Sequence, residues 1–286
     1  MALPRPPRPL RALARLAALV AVVAWAPASA QYAEGGARSL AMGRAGAALG
    51  AQPWGHLNPA ARAGLDQNHA ALQASQSFGL SELRLGSLAA AVPTAVGVLG
   101  LEARTFGFSE RRETRVRAGI ARPVELTRTR TLDVGVAVGV ESAATERFGS
   151  ETALLLDVGV QGEVLPQLRA GLSARNLLGL GGGDDADLRR SAAAVPGLTV
   201  GLAYAASDRA TLVVDADHDL DFGLSVRAGA EFLPVPAVAL RTGVSTEPVR
   251  FTGGVGVVSG PVRADVAVEL HETLGLTPAF GLEVSF

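Results

Sequence analysis

Thr131-Leu132-Asp133-Val134-Gly135-Val136-Ala137-Val138-Gly139-Val140-Glu141 alternates without a break. Successive side chains of a β-strand point to opposite faces. Leu132, Val134, Val136, Val138 and Val140 therefore make one apolar face, and Asp133, Gly135, Ala137, Gly139 and Glu141 make a small and charged one. The stretch is about twice the five or six residues of an average strand in a soluble sheet. A strand this long, apolar on one side and charged on the other, reads as a wall between a greasy medium and a wet interior.

The pattern recurs in both directions along the chain. In Val262 to His271, Val262, Ala264, Val266, Val268 and Leu270 oppose Arg263, Asp265, Ala267, Glu269 and His271. Phe222 to Phe232 sets Phe222, Leu224, Val226, Ala228, Ala230 and Phe232 against Gly223, Ser225, Arg227, Gly229 and Glu231. Extended to the whole chain, alternation and turn residues give candidate strands at 69–78, 82–92, 94–105, 112–122, 131–141, 152–163, 167–177, 197–206, 209–219, 221–233, 236–246, 249–259, 261–271 and 278–286. That is an even set of fourteen, each near the 9 to 11 residues that cross an outer membrane at a tilt. The expected fold is all-β, a transmembrane antiparallel up-and-down barrel of about 14 strands. In the last segment Phe280, Leu282, Val284 and Phe286 would face lipid, with Gly281, Glu283 and Ser285 inside. It must pair with the first strand to close the barrel and remove both open edges.

The start of the chain is of a different kind. Arg5, Arg8, Arg11 and Arg15 precede an apolar run from Leu16 to Trp25 and then Pro27-Ala28-Ser29-Ala30. This is the layout of a secretory signal peptide over 1–30, with Ala28 and Ala30 as the cleavage pair. Its apolar run is too short for a spanning helix, and no later stretch reaches the roughly 18 apolar residues that one needs. Residues 31–68 read as a plug-like N-terminal segment and 69–286 as the barrel. Glycine and alanine dominate 35–51, which lets backbone approach a barrel wall closely. Asn58-Pro59 favours a turn. Trp54 is read as a wedge that holds this segment in place. A disordered periplasmic arm is the alternative.

Composition closes several routes. The absence of cysteine rules out disulfides, thiolate catalysis and cysteine-bound metals. All 26 basic residues are arginine, and without the four in the leader 22 oppose 27 acids, a formal charge of −5. No clustered basic face suggests nucleic acid. The histidines, His56, His69, His218 and His271, sit in no nucleophile motif, so no enzyme and no catalytic residue is expected. No cofactor is expected either. Asp215, Asp217 and Asp219 share a strand face at about 6.6 to 7 Å spacing, too spread for one calcium ion. They are expected to pair with arginines such as Arg227 and Arg241, so no metal site is assigned. Asp133, Asp157, Arg175, Asp215, Asp217, Arg227, Glu231, Arg241, Arg263, Asp265 and Glu269 are the charged residues expected to face the lumen, along with Arg115, Arg117, Arg169, Arg250 and Glu283. Buried charges need partners, so cross-strand ion pairs should result. The lumen has room for a plug, for water or for a ligand.

If both termini are periplasmic, the turns after even-numbered strands should be the short ones. They are expected at Pro93, Pro123 to Arg130, Ser207-Asp208, Pro234 to Pro236 and Ser259-Gly260. The longest connection, Leu178 to Pro196, follows the seventh strand and falls on the outer side. Phe78, Phe106, Phe108, Phe222, Phe251 and Phe280 are expected at the outer rim, with Phe232 and Phe286 at the inner one, as an interfacial girdle.

Three stretches resemble the PorV/PorQ family of outer-membrane proteins, within a broader group that includes FadL-like hydrophobe transporters. They are Gly35 to Ala48 with Asn58-Pro59-Ala60; Leu156 to Val160 with Leu172 to Gly179; and Arg227 to Phe232 with Leu240 to Gly243. The resemblance implies a 14-stranded barrel in the outer membrane with Asn58, Pro59 and Ala60 as a plug motif. It also implies a role in assisting secretion or surface attachment of exported proteins, which would be its partners. The alternative is passive FadL-like passage of a hydrophobic ligand; a purely structural envelope barrel is a third reading. The terminal strand resembles the signal read by the outer-membrane assembly machinery, with Phe286 as its key residue. Outer-membrane lipid and that machinery are the remaining expected partners.

Overall fold

The computed structural model describes residues 35–127, 130–146, 149–178, 180–181, 195–220 and 223–286. The leader with Ala28 and Ala30, Phe222 and most of the connection after Leu178 lie outside the described residues. Fourteen strands form one closed antiparallel sheet: β1 (His69–Gln76), β2 (Arg84–Thr94), β3 (Gly97–Gly107), β4 (Arg111–Thr127), β5 (Arg130–Thr145), β6 (Gly149–Leu165), β7 (Leu168–Arg175), β8 (Gly197–Ser207), β9 (Ala210–Asp219), β10 (Gly223–Val235), β11 (Val238–Thr246), β12 (Val249–Ser259), β13 (Val262–His271) and β14 (Gly275–Ser285). Leu180–Gly181 adds a short pairing to the outer half of β6. Each strand pairs with its neighbours in the chain, and β1 pairs with β14 from His69 opposite Ser285 to Ser75 opposite Ala279. Asn68 and Phe286 extend that seam by exchanging backbone hydrogen bonds of 2.9 and 3.1 Å.

The two-residue period sorts the side chains as a bilayer requires. Leu101, Val138 and Val266 are more than half exposed on the outside of the barrel, while Glu141, Asp157 and Asp215 are at most 2% exposed inside it. Apolar outside and charged inside is the inverse of a soluble core. It is the arrangement of a barrel that sits in the outer membrane.

The two rims differ. Five turns after even-numbered strands consist of two residues each: Ala95-Val96, Pro166-Gln167, Asp208-Arg209, Pro236-Ala237 and Gly260-Pro261. The opposite rim carries the longer connections, including 77–83 and that between β7 and β8. By the parity of outer-membrane barrels, the short-turn rim is periplasmic.

Prolines account for several of the differences from the expected strand limits. Pro93, Pro123 and Pro278 lie inside strands rather than at their ends. Each sits where one neighbour has already stopped. The pairing of β2 with β1 ends at Ala91, that of β4 with β3 at Ala121, and that of β14 with β1 at Ala279. A residue without an N–H is tolerated on such one-sided stretches. Hence β4 and β5 run past the expected turn at Pro123 to Thr127 and Arg130. Pro234 occupies an irregularity in the β10–β11 pairing, and the turn follows it.

The aromatic girdle also needs correction. Phe106 faces the lumen, in phase with Glu102 and Arg104, and Phe280 lies mid-strand because β14 begins three residues earlier than expected. Phe78 belongs to a 3-10 turn after β1, with a left-handed backbone (φ 56°, ψ 21°). Phe251, Phe232 and Phe286 do face outward.

Candidate functional site

Residues 35–68 run through the barrel rather than along its outside. A short helix, α1 (Gly36–Ala41), packs Ala37, Leu40 and Ala41 against Ala267 and Ala279 of the wall. Met42, Ala45 and Ala48 pack against Ala203 and Val213 on the other side. A 3-10 turn at Pro59–Gly64 follows. Asn58 is fully buried at its start: its Oδ1 accepts from Ala60 N (3.0 Å), and its Nδ2 donates to Ala47 O (2.7 Å) and Val160 O (3.1 Å). One side chain thus caps the turn, holds a distant part of the plug and binds the wall. Pro59 stands at the first position of the turn, where its missing N–H is no loss.

Small residues make the fit possible. A Cβ on Gly243 of β11 would fall on Gly43 N and the Met42 carbonyl carbon. One on Gly159 of β6 would overlap Asn58 Oδ1. Plug backbone therefore lies directly on wall backbone at Gly243, and the Asn58 side chain lies on it at Gly159, which only glycine allows.

Charge fixes the remaining contacts. From Gly35 to Leu65 the plug carries three arginines and no acid, and its ionic anchors all run to carboxylates of the wall. Arg38 grips Glu231 of β10 through two bonds of 3.0 and 2.7 Å. Arg44 grips Glu269 of β13 through two of 2.9 Å, and Arg62 meets Glu102 of β3 at 2.5 Å. Glu102 also accepts from Gly55 N. Asp215 of β9 takes Gly46 N (2.7 Å) and Ala47 N (3.0 Å). Burial works against the charge of Arg38, but Glu231, with Asp265 and Glu283 nearby, outweighs it, and together they hold the guanidinium above its ordinary pKa. His56 has the opposite environment. Burial, with Arg117, Arg175, Arg62 and Arg227 around it, pushes its pKa well below the usual imidazole range.

The wall charges pair among themselves as well. Arg104 and Arg115 share Glu141 at 2.9 and 2.8 Å, and Arg117 meets Asp157 at 3.0 Å. Asp217 lies between Arg175 and Arg227, each at 2.6 Å, and accepts from Thr199. Arg241 lies between Glu231 and Asp265, each at 2.6 Å; Arg169 meets Asp133 at 2.8 Å. Arg263 lines a narrow crevice with Asp265 and Glu283. Asp215 faces Arg227 across the β9–β10 pairing and takes plug backbone N–H groups as well, from Gly46 and Ala47. Among the described residues no acidic and histidine side chains converge as metal ligands. Arg38, Arg44 and Arg62 escaped the reading of the sequence. Their spacing in an otherwise uncharged segment was the available signal.

The plug separates two cavities. The outer one, about 310 Å³, is lined by Phe78, Leu83, Phe106 and Phe108, with Glu82 and Arg111 at its rim and the Arg44–Glu269 pair at its floor. The inner one, about 380 Å³, lies between Ala48, Leu49 and Gly50 of the plug and Glu163, Gln167, Arg169 and Thr211 of the wall. Ala45, Gly46 and Ala47, held by Asp215, lie along the chain between the two.

No protein-family model and no curated protein sequence matches the chain. Solved structures match in fold. The CymD monoaromatic hydrocarbon channel aligns with a TM-score of 0.63 at 12% identity, over 88% of this chain and 97% of its own. The Pseudomonas putida toluene transporter TodX gives 0.59 at 12% identity, over 88% and 98%. A Pseudomonas aeruginosa FadL homologue gives 0.58 at 10% identity, over 91% and 98%. At these identities the likeness is one of architecture. The chain is an outer-membrane β-barrel whose fold is similar to that of FadL-like hydrocarbon transporters.

Proposed function

We propose that this barrel passes a hydrophobic small molecule across the outer membrane, entering at the outer cavity. The observation that carries the proposal is that cavity itself: three phenylalanines and a leucine lining a space of about 310 Å³ directly above the plug. Pockets for small ligands combine apolar walls with polar groups that fix orientation; here Ser77, Glu82, Arg111 and the Arg44–Glu269 pair are the polar part. The charged lumen beneath would repel the same solute, so passage requires the Ala45 to Ala47 stretch to yield or the solute to pass beside it. The fold neighbours include a monoaromatic hydrocarbon channel and a toluene transporter, which supports this reading ahead of assistance to secretion. Uptake of radiolabelled toluene into proteoliposomes tests it. Saturable uptake above that of empty liposomes, reduced severalfold by Phe106→Asp, is expected. Uptake equal to that of empty liposomes, with an exported protein recovered after mild detergent extraction, would restore the secretion role.

A further inference from the structure

We propose that His271 is a proton-sensitive latch on the mouth of the barrel, a positioning residue that holds one wall of the outer cavity only while its ring is neutral. His271 ends β13, faces inward and is 5% exposed. The turn to β14 wraps around one of its ring nitrogens: Nδ1 accepts from the backbone N–H of Thr273 (3.1 Å) and of Leu274 (3.3 Å). A nitrogen that accepts carries no proton, so the neutral ring bears its hydrogen on Nε2. The ring also meets Phe78 edge-on, with centroids 5.7 Å apart and planes at 87°. Phe78 lines the outer cavity. Its left-handed backbone is unusual for a bulky residue and is held by Phe78 N donating to Thr277 Oγ1 at 3.1 Å. The imidazole thus joins the 272–274 turn to the 77–83 connection, across the seam where the first and last strands meet.

Protonation breaks this arrangement by geometry alone. Once Nδ1 carries a hydrogen it opposes two N–H groups that previously pointed at its lone pair, so either the turn rotates away or the ring leaves. In both cases the link that the ring makes between the 272–274 turn and the 77–83 connection is cut. The charged groups that face the ring are Arg250, opposite His271 on β12, Arg44 from the plug, and Glu269 and Glu272 on its own side. Arg44 is committed to Glu269 through two bonds. Glu82 from the 77–83 connection and Arg111 from β4 share the cavity and add one charge of each sign. The latch therefore releases on acidification, once the ring takes up its second proton.

Hydrogen–deuterium exchange of the full barrel in detergent, corrected for intrinsic exchange at each pH, tests this directly. Between pH 8 and pH 4.5 the peptide over 272–276 should lose protection at least tenfold, with 77–83 loosening in parallel. His271→Asn keeps an acceptor oxygen near the position of Nδ1 but cannot titrate; its protection should stay flat. Wild-type protection that does not change, or a His271→Asn barrel that loosens at the same pH, overturns the proposal. Nitrogen-15 histidine NMR of the wild type provides a test without a variant. A His271 ring with its hydrogen on Nδ1 at pH 8 would overturn the latch; Nε2 protonation at pH 8, converting to imidazolium as exchange protection is lost, supports it. None of these outcomes depends on what the barrel carries.

Discussion

Gly243→Ala should unseat the plug while leaving the barrel intact. The added methyl group would fall on Gly43 N and the Met42 carbonyl carbon, and 2.7 Å from Thr252 Oγ1. Two of these three atoms are backbone, so no rotamer change relieves the overlap and the plug must back away. Overpacking of this kind costs about 1 to 3 kcal/mol. Retreat also loosens the two bonds that Thr252 Oγ1 makes with the plug, accepting from Gly43 N at 2.9 Å and donating to Ala41 O at 3.0 Å. Each such bond contributes about 1 kcal/mol. A net cost of about 3 kcal/mol shifts the docked–undocked equilibrium roughly 100-fold, since about 1.4 kcal/mol is a factor of ten. Gly253→Ala is the control. Its methyl group, on the outward face of β12, meets nothing nearer than Arg241 O at 3.7 Å. Trypsin reads the difference. The chain has no lysine, so its sites are arginines, and Arg44 and Arg62 are buried in the docked plug. Gly243→Ala should be cut after Arg38, Arg44 and Arg62 far faster than wild type, with the heat-modifiable gel shift of the folded barrel retained. Equal resistance of Gly243→Ala and Gly253→Ala would refute the direct seating of plug on wall.

Other expectations follow from the same contacts. Asp215→Asn removes the charge from the acceptor of Gly46 N and Ala47 N; a loss of about 2 kcal/mol should speed cleavage after Arg44 more than tenfold, and unchanged cleavage would count against Asp215 as an anchor. Deletion of Phe286 removes both backbone bonds to Asn68 at the seam and should lower outer-membrane levels more than any lumen substitution does, as measured by fractionation. His56 gives the plug a pH dependence whose sign is set by its lowered pKa. The undocked segment binds a proton at about pH 6.5 while the docked one resists it, so docking weakens as pH falls below that value. Trp54 fluorescence should follow this loss in wild type and not in His56→Gln; a pH response that survives the substitution would exclude His56 as its source.

The wall was legible because each strand reports its own two faces. In Thr131 to Glu141 the alternation alone sets which residues meet lipid, and the structure keeps that phase. Phe106 could have been placed by the same rule, since Glu102 and Arg104 fix the parity of β3; it was misread because aromatic residues near a rim suggest a girdle. Proline positions were less legible. Whether Pro93 ends a strand depends on where β1 stops beside it, and that is a property of the stagger between strands. The plug contacts were least legible of all. Gly243 carries no mark of meeting Gly43, two hundred residues earlier, and Asp215 looks like any lumen acid until Gly46 and Ala47 lie against it.

The seam between Asn68 and Phe286 has a bearing on how the plug behaves once released. The plug joins β1 through Leu65 to Asn68, and Asn68 is bonded to the last residue of the chain at the short-turn rim. An undocked plug is therefore leashed at the periplasmic mouth and stays at an effective concentration on the order of millimolar near its seat. Re-docking is unimolecular and independent of protein concentration. A synthetic peptide of residues 35–64 would have to exceed that millimolar level to compete, so the barrel recloses with its own stopper after each opening.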